Sequence, residues 1–259
     1  MKIYNGPRGL NSRLAYRVQA QAEDAVEILI YDEIGENWYG DGLTAERFAA
    51  ELAAISASRI DVRINSVGGS VFEGNAIYNA LRRHSARVET HIDGIAASIA
   101  SIIALAGERV HIAENAFIMI HNPQGMAWGE ATDMRKMADT LDTVRSSLVG
   151  TYAKKTGQEV SQIEAWMDEE TWFGADEAKE YGFADEITDG IEIDARIAAA
   201  ATMARFSNLP AELEEKIQAA MEPTAPPAPE PAALEPEAPA TELLQLAAAV
   251  QFTLSETRL

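Results

Sequence analysis

Apolar runs rich in Val and Ile alternate with segments of helical period along most of this chain, and that alternation constrains its fold more than any other feature. Strand patterns fall at Val26–Tyr31, Ile60–Ile64, Arg87–Ile92, Arg109–Ile112 and Phe117–Ile120. Helical patterns fall between and after them, at Thr44–Ser56, Val71–Arg83, Ser98–Ala106, Glu130–Lys154, Glu159–Met167 and Ala175–Tyr181. Strands that alternate with helices form βαβ units, whose right-handed crossovers build a mostly parallel, buried sheet. The expected class is therefore α/β, and no internal repeat is evident.

The pattern stops near Phe206. Eight of the ten prolines lie between Pro210 and Pro239, and Glu222–Ala240 is almost entirely Pro, Ala and Glu. Such a mixture buries too little apolar surface to offset its ordering entropy, so an extended, disordered linker is expected. Beyond it, Thr241–Leu254 has helical spacing of Leu and Val with Thr241 placed as an N-cap: a weak local helix or a docking segment.

Charge and composition exclude several functions. Acidic residues outnumber basic ones 41 to 21, a formal charge of −20, which repels nucleic-acid backbones. With no cysteine, disulfides, thiolate metal sites and cysteine nucleophiles are ruled out. No segment has the pattern of a signal peptide or membrane span. A soluble, intracellular protein without metal or cofactor is expected.

Two glycine-bearing turns follow strands. In Asn65-Ser66-Val67-Gly68-Gly69-Ser70, paired glycines allow a tight turn that presents bare N–H groups, a device for an anion or an oxyanion and also a common structural turn. In Asp93-Gly94-Ile95-Ala96-Ala97-Ser98, a serine hemmed by small residues stands where a strand meets a helix, the logic of a nucleophile elbow. An N-cap is the plainer role for such a serine, and packing suffices for Ser101.

A serine nucleophile needs a base. His84 sits among arginines at a helix end, and His91 and His111 lie inside strands, where a satisfied imidazole is the default. His121 instead ends the run Phe117–Ile120, at the carboxyl end of a strand, where α/β active sites gather. The helix Glu130–Lys154 carries Met134, Met137, Leu141, Val144, Leu148 and Tyr152 at steps of three and four, a narrow seam that suits either a helix lying on its own domain or a projecting helix that meets a second subunit.

Taken in order from Val26 to Ile187, these segments resemble the proteolytic subunit family of the caseinolytic protease (ClpP), and more closely its phage relatives, the head maturation (prohead) proteases. The resemblance is carried by Ile64–Val71, Gly94–Ser98, Met119–Pro123, Lys155–Gln158 and Glu177–Asp185. It implies the crotonase-like ββα spiral, with Ser98 as nucleophile, His121 as general base and the N–H groups of Gly69 and Ile99 as oxyanion donors. Gly68 and Ser70 are then expected beside the substrate, and the seam helix 130–154 becomes a projecting handle through which rings of the chain stack. Val67 replaces the family's proline, and the orienting aspartate aligns with Glu170, Asp168 being the reserve.

The implied organisation is an N-terminal segment over 1–25, a protease domain over 26–200 and an acidic tail over 201–259. Met1–Asp24 has no match to the loops that the cellular enzymes offer to their unfoldase. The expected function is thus an ATP-independent endopeptidase that cleaves capsid or scaffold proteins during phage head maturation, in the host cytoplasm within the assembling head. The alternatives are an ATPase-coupled Clp peptidase and an assembly or scaffolding protein that carries a protease domain. An acyl-CoA enzyme of crotonase type shares the Gly-Gly device but lacks a reason for the Ser98–His121 pair.

Overall fold

A computed structural model describes residues 16–22, 24–35, 42–190 and 206–215. The Pro-rich stretch and the helical pattern at Thr241–Leu254 lie outside the described residues. The elements run β1 (Tyr16–Ala22), β2 (Ala25–Ile30), α1 (Ala45–Ala53), β3 (Arg59–Ser66), α2 (Val71–Arg83), β4 (Arg87–Ala97), α3 (Ile99–Ala104) and β5 (Arg109–Ala113). They continue with β6 (Phe117–Ile120), α4 (Ala131–Thr156), α5 (Val160–Asp168), β7 (Thr171–Gly174), α6 (Ala175–Glu180) and β8 (Glu186–Thr188).

The sheet order is β1-β2-β3-β4-β5-β8, with β2 to β5 and β8 parallel and β1 antiparallel at the edge. Strands β2 to β5 step in one direction without reversing, so right-handed crossovers deliver α1, α2 and α3 to one face of the sheet. That face is apolar: Ile28, Ile60, Val62, Ile64, Ile92, Val110 and Ile112 are buried in one cluster with Phe48, Ile77 and Ile102 from the helices. The alternate residues point the other way and are polar, among them Glu27, Asp61, Arg63, Glu89, His91 and His111.

Strand β4 is the pivot. Its first half pairs with β5 through Glu89–Ile92, its second half with β6 through Ile95–Ala97, and β6 in turn pairs antiparallel with β7. Against β3 the register slips between Ile64/Ile92 and Ser66/Ala96, at Asp93-Gly94. There Asn65 Oδ1 accepts the Ile95 N–H at 3.2 Å, replacing the ladder bond that the slip removes. The apolar pattern stops at Ile92, yet the strand runs on to Ala97, because a side-chain acceptor bridges the irregularity.

Strands β1, β7 and β8 are additions to the sequence reading. β7 and β8 have four and three residues, too few for a period to show, and β1 reads Tyr-Arg-Val-Gln-Ala-Gln-Ala with no apolar run. The seam helix divides in two. Leu148 and Tyr152 are buried on the chain's own core, whereas Met134 is exposed alongside Met126 and Trp128 in the segment that leads into the helix. Phe206, where composition begins the tail, is instead buried with Leu213 against Val67, Ile95, Phe117, Met119 and Trp172. Among the described residues no helix is long and apolar enough to cross a membrane.

Candidate active site

Ser98 stands at the end of β4 with φ 55° and ψ −130°, a conformation that L-residues rarely adopt. The turn holds it there. Its N–H donates to the Met119 carbonyl at 3.0 Å, and its own carbonyl accepts from Ser101 Oγ at 2.5 Å. Ser101 Oγ is in turn 2.7 Å from the buried Tyr152 hydroxyl. Ser101 therefore does more than pack: it ties the elbow to α4. Although Ser98 precedes α3 at the cap position, its side chain makes no cap bond. It meets His121 instead, with Oγ to Nε2 at 2.8 Å.

Gly68 and Gly69 pass directly beneath this serine. Both have positive φ, 87° and 146°, and a Cβ on Gly68 would sit 2.8 Å from Ser98 Cβ and 2.7 Å from the Ala97 carbonyl oxygen. On Gly69 it would sit 2.1 Å from the Ile34 carbonyl oxygen. Only glycine fits either position. Ser66 shapes the turn, its hydroxyl donating to the Asp32 carbonyl at 2.5 Å and accepting the Gly68 N–H at 3.2 Å. The Ser70 N–H and the Gly68 carbonyl are both spent on Ile34. Ser70 Oγ accepts the Glu73 N–H as cap of α2, so the structure gives Ser70 a capping role. No hydrogen bond among the described residues claims the Gly69 or Ile99 N–H. Gly74, unremarked in the sequence, lets α2 approach Ile99 so closely that a Cβ would meet Ile99 Cγ1 at 2.3 Å.

Burial holds the His121 imidazole below the ordinary histidine pKa, and the Glu170 charge opposes that shift in part. The ring also meets Phe206 edge-on at 5.8 Å. Ser98, His121, Gly69, Val67 and Phe206 line one cleft of about 240 Å³. Phe206 forms a wall of this cleft and leaves the Ser98 hydroxyl within it.

The two acidic candidates have different partners. Asp168 accepts from Asn122 Nδ2 at 2.8 Å and from Arg145 Nη2 at 3.0 Å, and these bonds, the Asn122 one foremost, hold its pKa below the usual carboxylate value. Arg145 also reaches Asn122 Oδ1 and Glu164, so this network clamps the residue after His121 to α4 and α5. Glu170, at φ 51°, turns back toward the site. Its Oε1 accepts the N–H groups of Ser207 at 2.7 Å and Asn208 at 2.9 Å, while Asn208 Nδ2 donates to the Glu169 carbonyl. Among the described residues no hydrogen bond joins Glu170 to His121, and their coupling is electrostatic. Phe206–Asn208 carries no motif, and only its folded position shows its part in the site.

A strained serine on a strand end, a histidine at hydrogen-bond distance and a paired-glycine turn beneath them suit acyl transfer to serine. Comparison with known proteins agrees. The Clp protease family description matches residues 11–190. The ATP-dependent Clp protease proteolytic subunit 2 of Thermobifida fusca is 39% identical over 153 residues, 57% of this chain and 75% of that protein. Subunit 1 of Mycobacterium leprae is 31% identical over 176 residues, 66% of this chain and 85% of that protein. Among solved structures, a point mutant of ClpP1 from Listeria monocytogenes superposes with a TM-score of 0.55 at 30% identity, covering 63% of this chain and 91% of that one. The chain belongs to the Clp protease family and is a serine peptidase of the ClpP type.

Proposed function

We propose that Ser98, His121 and Glu170 are the catalytic triad and that the chain cleaves capsid or scaffold polypeptides during phage head maturation. The contact between Ser98 Oγ and His121 Nε2 carries the catalytic assignment. Nε2 takes the hydroxyl proton as Oγ attacks the scissile carbonyl, and the Gly69 and Ile99 N–H groups receive the oxyanion. Each such donor is worth roughly 3–4 kcal/mol of barrier. The imidazolium then protonates the leaving amine, and a water, deprotonated by the same nitrogen, hydrolyses the acyl-enzyme. Glu170 stabilises the imidazolium by its charge, held in place by the Ser207 and Asn208 amides.

The phage assignment rests on the Glu170-Thr171-Trp172 run and on the acidic, Pro-rich tail, which suits transient binding to capsid subunits. Coexpression with the capsid and scaffold polypeptides of the same phage is expected to yield shortened products by intact mass, absent with Ser98→Ala. A second reading, an ATPase-coupled peptidase, is favoured by the names of the bacterial relatives. Uncleaved capsid and scaffold, together with degradation of an unfolded protein only when a Clp ATPase and ATP are added, would establish it instead.

The exposed side of the α4 region supports assembly into stacked rings. Met126 and Trp128 are almost wholly exposed at 93% and 101%, and Met134 at 40%, large apolar side chains that a lone subunit leaves in water. Trp128→Glu, which removes no contact within the chain's core, is expected to lower the mass measured by light scattering to that of a smaller assembly. A monomeric wild type, or an unchanged mass for the variant, would refute this.

A further inference from the structure

The sheet face that bears no crossover helix carries a second cluster of chemistry-bearing side chains. A parallel sheet ordinarily buries apolar residues on both faces. Here His91 on β4 stands directly opposite His111 on β5, and His111 directly opposite Glu186 on β8, so a His-His-Glu row crosses three strands. Glu89 lies two residues before His91 and shares its face. One ligand atom from each of Glu89, His91 and His111 lies within 4.8 Å of the other two.

We propose that Glu89, His91 and His111 bind a divalent first-row transition metal, with zinc the expected ion. Two imidazoles and one carboxylate are a donor set zinc accepts, with a water completing the tetrahedron. Ligand atoms in such a site stand about 3.3 Å apart, from zinc–nitrogen bonds of about 2.0–2.1 Å. The imidazoles are stacked at 4.6 Å between centroids and 9° between planes, so the rings must turn about their side-chain torsions before both nitrogens point at one ion.

The surroundings are built to orient these ligands. Asp61 stands behind the ligands whereas Glu89 belongs to them, and each holds a rim arginine with one oxygen and turns the other to an imidazole. Asp61 Oδ2 takes Arg59 at 3.0 Å while Oδ1 stands 3.4 Å from His91 Nε2. Glu89 Oε1 takes Arg87 at 2.7 Å while Oε2 stands 3.1 Å from His111 Nε2. Glu186 approaches the other ring nitrogen, His111 Nδ1, at 3.6 Å, and also pairs with Arg109. Carboxylates behind imidazoles set ring orientation and raise ligand basicity in metal sites. The absence of cysteine excludes thiolate sites and says nothing against this set.

The ion would be structural. His91 lies seven residues before Ser98 along the same strand, roughly 20 Å at the usual strand rise, too far to touch the reacting atoms. It would clamp β4 to β5 on the face that, among the described residues, bears no helix.

The test uses the full chain, stripped with a chelator and titrated with zinc sulfate alone by calorimetry, and with cobalt(II) by visible absorption. One ion per chain at micromolar affinity or tighter is expected, with tetrahedral cobalt bands. His91→Ala, whose side chain is 21% exposed, and His111→Asn should each weaken binding at least 100-fold. Asp61→Asn should weaken it by about 10- to 100-fold, as loss of an outer carboxylate does. Circular dichroism establishes that each variant is folded, and His91→Ala alone suffices should His111→Asn not fold. No uptake by the wild type would overturn the proposal, leaving a hydrogen-bonded His–carboxylate row. So would uptake that His91→Ala does not change, since an acidic surface then holds the ion.

Discussion

Replacing Ser98 by alanine is expected to abolish peptide-bond cleavage while leaving fold and assembly intact. Without Oγ no acyl-enzyme forms, and loss of a triad nucleophile costs on the order of 10⁴ to 10⁶ in rate. The backbone of the elbow is set elsewhere, by the Met119 carbonyl, the Ser101 hydroxyl and the absence of a Cβ on Gly68. Alanine therefore inherits the same turn. Cleavage of a fluorogenic peptide at more than a few per cent of the wild-type rate, with an unchanged circular dichroism spectrum, would remove Ser98 from the mechanism.

The second large effect is expected at Glu170. Glu170→Gln keeps the acceptor for the Ser207 and Asn208 amides but removes the charge that stabilises the imidazolium. Activity should fall by about 10² to 10⁴, as loss of an orienting carboxylate does in other triads. A pH profile separates this role from a structural one. Activity needs neutral His121, so it declines as pH falls through the histidine pKa, which burial already places below its ordinary 6.5. The Glu170 charge raises that pKa, so Glu170→Gln should move the acid limb to still lower pH. Phe206→Ala, which opens the cleft wall and loosens the segment that holds Glu170, should cost about tenfold and move the limb the opposite way, as His121 gains water. Asp168→Asn should change the rate less than tenfold and leave the limb in place, because Asp168 is spent on Asn122 and Arg145. The reverse ranking of Glu170 and Asp168 would give the role to Asp168, and two near-neutral variants would leave a Ser98–His121 dyad.

Much of the protease body was legible without coordinates because its signals are local. Val71–Arg83 is a helix at the residues its pattern predicts, since Ser70 caps it and apolar residues recur on one face. The strands Ile60–Ile64 and Arg109–Ile112 alternate inward Val and Ile with outward charge, and the structure keeps that alternation. Ser98 and His121 could be singled out because each lies where a strand ends, a place with a topological meaning that sequence order preserves.

What the sequence determined by itself is whatever rests on neighbours along the chain: helical and strand periods, the two glycine turns, the lack of thiol chemistry, and the strand-end positions of Ser98 and His121. The tertiary structure alone decided the rest, because it depends on residues far apart in sequence. Strand β4 continues past its apolar run only because Asn65, thirty residues earlier, supplies an acceptor at the slip. Phe206 reads as the start of a polar tail until Trp172 and His121 are seen to cover its ring. Asp168 and Glu170, two residues apart with the same charge, part company through partners no local pattern shows: Arg145 and Asn122 for one, the Ser207 and Asn208 amides for the other. His91 and His111 each looked like a lone strand imidazole, and only strand register sets them face to face. Local propensity is written in the order of residues, whereas partnership is settled by which strands lie side by side.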